Sequence, residues 1–410
     1  MTEKPKRRFR IRLSLRMMML AVLVVGAPMG WYIASVRKQA ETVAMIRRDL
    51  SGEVFYDWEY RDGEFAPKPA KPPWPGWMMK RLGPDFFSSV TAVRLKMRPA
   101  FFNEDVLRIL QGLPQLECVL YDYRINSDSP MIDDDLAKLA CLKTLKYLEI
   151  EDNSITNEGL SVLGKMTYLE EVFAEELAID AAGLANFSQL TALKNLTLKA
   201  DNLDDKGLAP LGSLTSLKSL ALVNDCEDSR DRMDAKSKIT SEGLRHLSGL
   251  RHLESLYLSS HKITSLEPIR NLTSLRSLYL NHTAVDDAGL AIIGTFVDLE
   301  DLCLDRTEIT GAGLIHLAKL SKLKRLRLEN TRVGDAGMVH LRKLANLECL
   351  GLHFTQVTDA GVAQLGVLSH SKKILLPWGV SKEAIDALKL KLPGADIDYW
   401  NSSYMNLLEL

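Results

Sequence analysis

Four stretches decide the fold: SLYLNHTAVDDAGL at 277–290, DLCLDRTEITGAGL at 301–314, RLRLENTRVGDAGM at 325–338 and CLGLHFTQVTDAGV at 349–362. Each follows an anchoring leucine, Leu275, Leu299, Leu323 or Leu347. The anchors lie 24 residues apart, and every line obeys L-x-x-L-x-L-x-x-T-x-[VI]. In Leu299-Glu-Asp-Leu302-Cys-Leu304 the alternation sends Leu302 and Leu304 to one face of a short strand and Asp301, Cys303 and Asp305 to the other. Three residues on stand Thr283, Thr307, Thr331 and Thr355. A buried hydroxyl there is able to donate to and accept from the backbone as it leaves the strand. Thr, Asp or Ser then precedes a Gly-Leu pair, as in Thr358-Asp359-Ala360-Gly361, and supplies N-cap oxygens for an outer helix. Leucines three and four positions apart turn that helix back onto the strands. One repeat cannot bury its own apolar face, whereas a stack of repeats can.

A period in this range carrying L-x-x-L-x-L is the signature of leucine-rich repeats. The expected fold class is therefore α/β: a leucine-rich-repeat solenoid, or horseshoe, with parallel strands on the concave face and mostly helices on the convex face, preceded by one transmembrane helix. Earlier anchors fall at Val90, Leu116, Leu145, Leu169, Leu193, Leu217 and Leu253, with spacings of 26, 29, 24, 24, 24 and 36 residues. The long spacing holds a polar insertion, 223–238, which reads as a loop at an edge of the concave side. From Leu253 to Leu275 the repeat shortens to 22 residues and Pro268 stands where a helix interior belongs, so a turn or short 3₁₀ segment is expected there. Ile374 and Leu376 mark a degenerate last strand, 381–392 a helix, and 396–399 a closing strand before a tail.

The net charge of −1 conceals a split: residues 1–48 hold eleven Lys or Arg against Glu3 and Glu41, so the remainder carries about −10. That argues against nucleic acid as the partner of the repeats. Seven cations up to Arg16 abut an uncharged run from Met17 to Val36, long enough at about 1.5 Å per residue to cross a bilayer. The expectation is a basic cytoplasmic segment, 1–16, and an uncleaved inner-membrane anchor, 17–36. A cleaved signal peptide is disfavoured by Pro28 and Ile33 around the candidate sites. Flanking charge orients a single-pass protein with its repeats extracytoplasmic. Residues 37–85 read as a juxtamembrane helix, a hairpin and a Pro-rich linker, with Trp74, Trp77, Phe86 and Phe87 capping the first repeat. Repeats fill 86–380, and 381–410 form the C-terminal cap and tail. Five cysteines with no C-x-x-C spacing read as free thiols; Cys303 and Cys349 project from strands two apart, too far for a disulfide.

The chain resembles the bacterial leucine-rich-repeat proteins typical of planctomycetes, which pair a basic N-terminal segment and one membrane span with T-x-[VI]-T-D-A-G-L repeats. The matching residues are Arg10 to Trp31, Gly83-Pro-Asp-Phe86-Phe87, the four Thr-containing repeats and Leu392-Pro393-Gly394. Departures are the insertion near Asp228, the short repeat at Leu253, and Glu176-Leu177-Ala178, which lacks a polar ladder residue. The resemblance implies a ribonuclease-inhibitor-like horseshoe and brings no substrate or catalytic residue with it.

Catalytic patterns are poor. Gly159-Leu-Ser-Val-Leu-Gly164-Lys165 satisfies G-x-x-x-x-G-K, but Met166 stands where a magnesium-binding hydroxyl is needed, and Gly159 is a repeat glycine. His316 and His340 stack in register without a third metal ligand. The expectation is therefore no enzyme, no cofactor and no metal. The informative positions are the outward ones on the strands. Candidate partner-binding residues are Tyr147, Phe173, Tyr257, Tyr279, Asp301, Asp305, Arg325, Arg327, His353 and Phe354. Tyr257 and Tyr279 fall side by side, and exposed Tyr beside Arg is common at protein-binding surfaces. The competing reading is that strand positions carry Tyr and charges for cross-strand pairing and solubility. The leading expectation is a membrane-anchored protein that binds a protein or polymer partner on its concave face. A self-associating envelope scaffold is the alternative, followed by a hydrolase hidden in the cap or insertion.

Overall fold

The computed structural model describes residues 24, 27–61, 64–67, 70–96, 103–121, 131–151, 154–175, 179–199, 203–223 and 237–399. The chain divides into two compact units, residues 1–125 and 126–410.

In the first unit, helix α1 (Ala27–Asp49) is followed by strands β1 (Glu53–Tyr56), β2 (Tyr60–Arg61) and β3 (Glu64–Phe65), then by helix α2 (Gly76–Leu82) and a 3₁₀ turn at Pro84–Phe86. Strand β4 (Val90–Leu95), helix α3 (Glu104–Leu110) and strand β5 (Cys118–Tyr121) form the first repeat and the start of the next. β1 runs antiparallel to β4, which pairs in parallel with β5. The C-terminal half of α1 buries Gln39, Thr42, Val43 and Ile46. The Gln39 amide does the work of a neighbouring strand. Its Nε2 donates to Asp85 Oδ1 (3.0 Å) and to the Ser88 carbonyl (2.9 Å), and its Oε1 accepts from the Val90 amide (3.3 Å). The edge that a first repeat would otherwise leave open is thus closed by α1 and β1.

This overturns the membrane assignment. Residues 17–23, 25 and 26 of the expected span lie outside the described residues. Its remaining part, 27–36, is the first half of α1, which continues through Arg37, Lys38, Glu41, Arg47 and Arg48 and spends its apolar side chains Val43 and Ile46 on protein core. No helix among the described residues is long and apolar enough to cross a membrane. The transmembrane helix in the expected fold class, the anchored single-pass localisation and the membrane contact through 17–36 are corrected accordingly. The aromatic cap also differs: Trp74 meets Phe87 and Phe87 meets Phe86, but Trp77 is 67% exposed, because α1 already covers the repeat.

In the second unit the strands β6 (Tyr147–Glu151), β7 (Glu171–Glu175), β8 (Asn195–Lys199), β9 (Ser219–Val223), β10 (Ser255–Tyr257), β11 (Ser277–Tyr279), β12 (Asp301–Cys303), β13 (Arg325–Arg327), β14 (Cys349–Gly351), β15 (Lys373–Leu376) and β16 (Asp396–Tyr399) follow one another in a parallel sheet. Ser255 pairs with Ser219 despite the long insertion between them, so the insertion leaves the ladder intact. Residues 224–236 lie outside the described residues. The inward leucines of each strand, such as Leu278, Leu302, Leu326 and Leu350, are at most 1% exposed.

The outer side alternates. Repeats carry α-helices at Asp133–Leu139, Asn157–Leu163, Asp287–Ile293 and Asp335–Leu341, but 3₁₀ segments at Lys206–Ser213, Gly243–Leu247 and Gly313–Lys319. Pro268 sits in a short 3₁₀ turn, Glu267–Ile269, as its missing N–H requires. Ser381 caps the helix Lys382–Lys391, accepting from Ala384 N at 3.1 Å.

Three recurring side-chain arrangements order the stack, the first within each turn and the other two between neighbouring turns. First, the threonine hydroxyls donate to the carbonyls three residues earlier: Thr283 to Leu280, Thr307 to Leu304, Thr331 to Leu328 and Thr355 to Leu352, at 2.6 to 2.7 Å. Second, the carboxylate in the T-D-A-G-L line reaches forward to the next repeat. Asp287 accepts from Thr310 N and Oγ1 (2.8 and 2.7 Å), and Asp133–Thr156, Asp205–Thr240 and Asp335–Thr358 repeat the arrangement. This explains the glycine. A Cβ on Gly159, Gly313 or Gly361 would land on the carboxylate of Asp133, Asp287 or Asp335. A Cβ on Gly164 would come within 2.7 Å of the Asn186 carbonyl. Both glycines of the nucleotide-loop lookalike are therefore accounted for by stacking.

Third, the residue after each anchor alternates in charge along the stack, with one break where Lys194 and Lys218 are neighbours: Lys146, Glu170, Lys194, then Lys218, Glu254, Arg276, Glu300, Lys324, Glu348 and Lys372. Parallel register sets equal positions about 4.8 Å apart, so like charges there would repel. Lys194 reaches Glu170 at 2.5 Å, Lys324 reaches Glu300 at 2.6 Å and Lys372 reaches Glu348 at 2.7 Å. Hydrogen bonds from Lys324 and Arg276 hold the Glu300 carboxyl down at about 2. Half-exposed pairs of this kind contribute well under about 1 kcal/mol each, and their main effect is to penalise a slipped register.

Candidate functional site

The outward side chains of the sheet fall into rows because the register never shifts between β10 and β15. One row runs Ser255, Ser277, Asp301, Arg325, Cys349, Lys373, and the next runs Tyr257, Tyr279, Cys303, Arg327, Gly351, Leu375. Tyr257 and Tyr279 stack with ring centroids 4.6 Å apart and planes at 26°. The Tyr279 hydroxyl donates to Asp301 Oδ2 at 2.6 Å, and Arg325 donates to the same oxygen through Nε at 2.7 Å. Arg327 Nη2 reaches Asp305 Oδ2 at 2.7 Å, while Asp305 Oδ1 accepts the Glu329 amide at 2.7 Å.

The two carboxylates sit beneath the face. The side chains of Asp301 and Asp305 are 5% and 9% exposed, whereas those of Arg325 and Arg327 are 53% and 54% exposed. Among the residues expected to meet a partner, these aspartates instead buttress the ones that do face outward. Such anchoring removes rotamer freedom from Tyr279 and both arginines before any partner arrives. The electrostatics follow. Burial, then the hydrogen bond to Asp301 and its charge, raise the Tyr279 phenol well above its ordinary value. Burial and the neighbouring Asp305 push the Cys303 thiol up to about 12. Burial and Asp305 also raise the Glu329 carboxyl above its ordinary value.

The remaining expected residues divide. His353 and Phe354 follow β14, their rings 6.3 Å apart, and Phe354 is 52% exposed. Tyr147 and Phe173 lie half-buried on β6 and β7 in different rows, since Tyr147 pairs with Glu171 and Phe173 with Glu149. Strands β8 and β9 separate them from Tyr257, so the structure does not bring them into the same patch. Cys303 and Cys349 are free thiols. His316 and His340 belong to the outer side, in the segments Gly313–Lys319 and Asp335–Leu341.

Two features escaped sequence reading. The residue that leaves each strand has a left-handed backbone: Ser260, His282, Arg306, Asn330 and Phe354, with φ between 55° and 63°. Side chains other than Gly, Asn or Asp adopt that region at a cost of about 1 kcal/mol or more. Adding 24 to Phe354 gives Trp378, which stands after β15 and is 74% exposed. The period alone could have found it, but the degenerate last repeat hid the match. A cavity of about 310 Å³ bounded by Glu300, Lys322, Lys324, Asn346, Glu348 and His370 lies along the charge ladder, where its ionic groups are engaged with one another or with Asp298 and Lys372.

Comparison with known proteins agrees with this architecture. Residues 251–292 match the family model described as Leucine Rich repeats (2 copies), and residues 141–164 match the model described as Leucine Rich repeat. The class defined by these matches and the fold is a leucine-rich-repeat scaffold. No curated protein matches the chain. An internalin from Listeria monocytogenes strain 4b F2365 is similar in structure with a TM-score of 0.52 and 22% identity, covering 71% of this chain and 83% of that one. A leucine-rich-repeat protein of Leptospira interrogans covers 75% of this chain and 89% of its own, with a TM-score of 0.42 and 14% identity. At such identities the likeness is one of fold. The resemblance read from the sequence holds at the level of the repeats, without the anchor.

Proposed function

We propose that this leucine-rich-repeat scaffold binds a protein partner on its strand face, through the stretch from β10 to β15. The observation that carries the reading is the buttressed Tyr–Arg array. Stacked Tyr257 and Tyr279 and half-exposed Arg325 and Arg327 are held from below by buried Asp301 and Asp305. Tyrosine and arginine dominate the energetics of protein interfaces, and locking them in advance lowers the entropy cost of association. Cross-strand pairing of opposite charges accounts for the Asp301–Arg325 contact itself, and the stacked tyrosines beside it add the aromatic component of a protein-binding face.

The test uses the full chain carrying Tyr257→Ala with Arg327→Ala, and as control Ile315→Ser on the outer side, where Ile315 is 53% exposed. A partner is captured from source-cell extract by each protein and quantified. The expected result is at least a tenfold loss of a specific partner with the strand-face variant and full retention with the control. Equal retention by both variants, with circular dichroism confirming that both are folded, would overturn the reading.

A further inference from the structure

We propose that the C-terminal part of the strand face is an acidic-peptide site, in which Phe354 and Trp378 take an apolar side chain and Arg325 and Arg327 take a carboxylate. The inference rests on the strand-face reading and names the chemistry of its partner. Two observations support it independently. Phe354 and Trp378 lie 24 residues apart, just after successive strands β14 and β15, and are 52% and 74% exposed. Phe354 also holds a left-handed backbone, φ 57°, where an asparagine or glycine would be less strained. Both rings are thus largely exposed, and one of them sits on a strained backbone. A strained, exposed aromatic is the kind of feature that marks a ligand contact.

The second observation is charge. Near β13 the guanidinium groups of Arg325 and Arg327 are the exposed members of their ion pairs, with the carboxylates of Asp301 and Asp305 beneath them and Glu329 half-buried alongside, and exposed Lys373 continues the Arg325 row on β15. Arginine presents a planar fork that suits a carboxylate. Beyond β15, strand β16 carries exposed Asp396 and Asp398, which ends the favourable stretch for an anion. An acidic ligand is therefore oriented with its carboxylate toward β13 and its apolar residue toward the aromatic pair. Strands β13 and β15 are two spacings apart, roughly 10 Å, which an extended peptide covers in about three residues. The recognised pattern is Asp or Glu followed or preceded, about three positions away, by a large apolar residue.

The probe is a fluorescein-labelled set of twelve-residue Gly/Ser peptides carrying two Glu and one Trp, with the Glu–Trp separation varied from one to six. Matched peptides replace Glu by Lys or Trp by Ala. Fluorescence anisotropy is read against the full chain and its Phe354→Ser/Trp378→Ser and Arg325→Gln/Arg327→Gln variants. The expected result is an affinity maximum near a separation of three. Either double variant, or either control peptide, should weaken it at least tenfold, and the Glu peptides should bind more weakly as salt rises. Equal binding of Glu and Lys peptides, binding indifferent to both double variants, or selective binding of an anionic polysaccharide such as heparin in place of every peptide would overturn the inference. If these fail while Tyr257→Ala/Arg327→Ala still abolishes partner capture, the strand-face reading stands and only the peptide chemistry is wrong.

Discussion

Acidification of this protein should expose the role of His261. It occupies the position that threonine holds in the regular repeats and is 2% exposed. One ring nitrogen, Nε2, lies 3.0 Å from the Leu222 carbonyl, and Nδ1 lies 2.7 Å from Ser237 Oγ, which itself accepts the Ile239 amide at 3.2 Å. A carbonyl only accepts, so Nε2 carries the proton and Ser237 donates to Nδ1 of a neutral ring. Leu222 is the penultimate residue of β9, which leads into the 223–238 insertion, and Ser237 lies where the chain returns, so this histidine clasps the base of the loop. Burial lowers the imidazole from 6.5 to about 4, with the hydrogen bond to Leu222 opposing part of the shift. An unfolded histidine takes its proton near pH 6.5 and the native one only near pH 4. Between those values the unfolded chain binds more protons, so the stabilisation is fully present above pH 6.5 and is lost as pH falls toward 4. At about 1.4 kcal/mol per pH unit the loss is about 2 kcal/mol by pH 5 and about 3 kcal/mol by pH 4. Urea unfolding of the full chain and of His261→Gln, at pH values from 7.5 to 4.5, measures it. The variant starts less stable, and the gap closes by about 2 kcal/mol at pH 5. Carboxylates such as Glu329 titrate in both proteins and cancel in the difference. Parallel curves, or a native-state His261 titration at 6.5 by NMR, would refute the reasoning.

Two further outcomes follow from the packing. Gly313→Ala should destabilise by about 2 kcal/mol or more, because its Cβ displaces the Asp287 carboxylate from Thr310, whereas Gly30→Ala, with open space around it on a helix, should stabilise by about 0.5 to 1 kcal/mol. Thermal unfolding of both variants decides this, and similar shifts would remove the forward-reaching carboxylate as the reason for the glycine. Iodoacetamide at pH 8 should modify exposed Cys141 well before Cys303, whose thiol is buried and pushed up to about 12; peptide mapping by mass spectrometry reads the order.

The repeat architecture was legible because a 24-residue period of leucines admits one economical burial scheme, and the threonine hydroxyls fell where the pattern required them. The degenerate last strand, the closing helix and the Pro268 turn were legible for the same local reasons. The anchor was not, because the uncharged run from Met17 to Val36 does not itself reveal that 27–36 continues as one helix through charged residues to Val43 and Ile46, which pack in protein core. At the candidate site, the sequence named the outward strand positions and the adjacency of Tyr257 with Tyr279. It placed Asp301 and Asp305 on the same face as their arginines but could not show that the short side chains are covered by the long ones. That depends on how Arg325 and Arg327 fold over a neighbouring strand, a distance of about 5 Å set by the parallel register. The Asp287–Thr310 contact and the left-handed residue at Phe354 are likewise relations between turns. Sequence periodicity determines that the turns stack, and only the stacked backbone decides which side chain of one turn reaches the next.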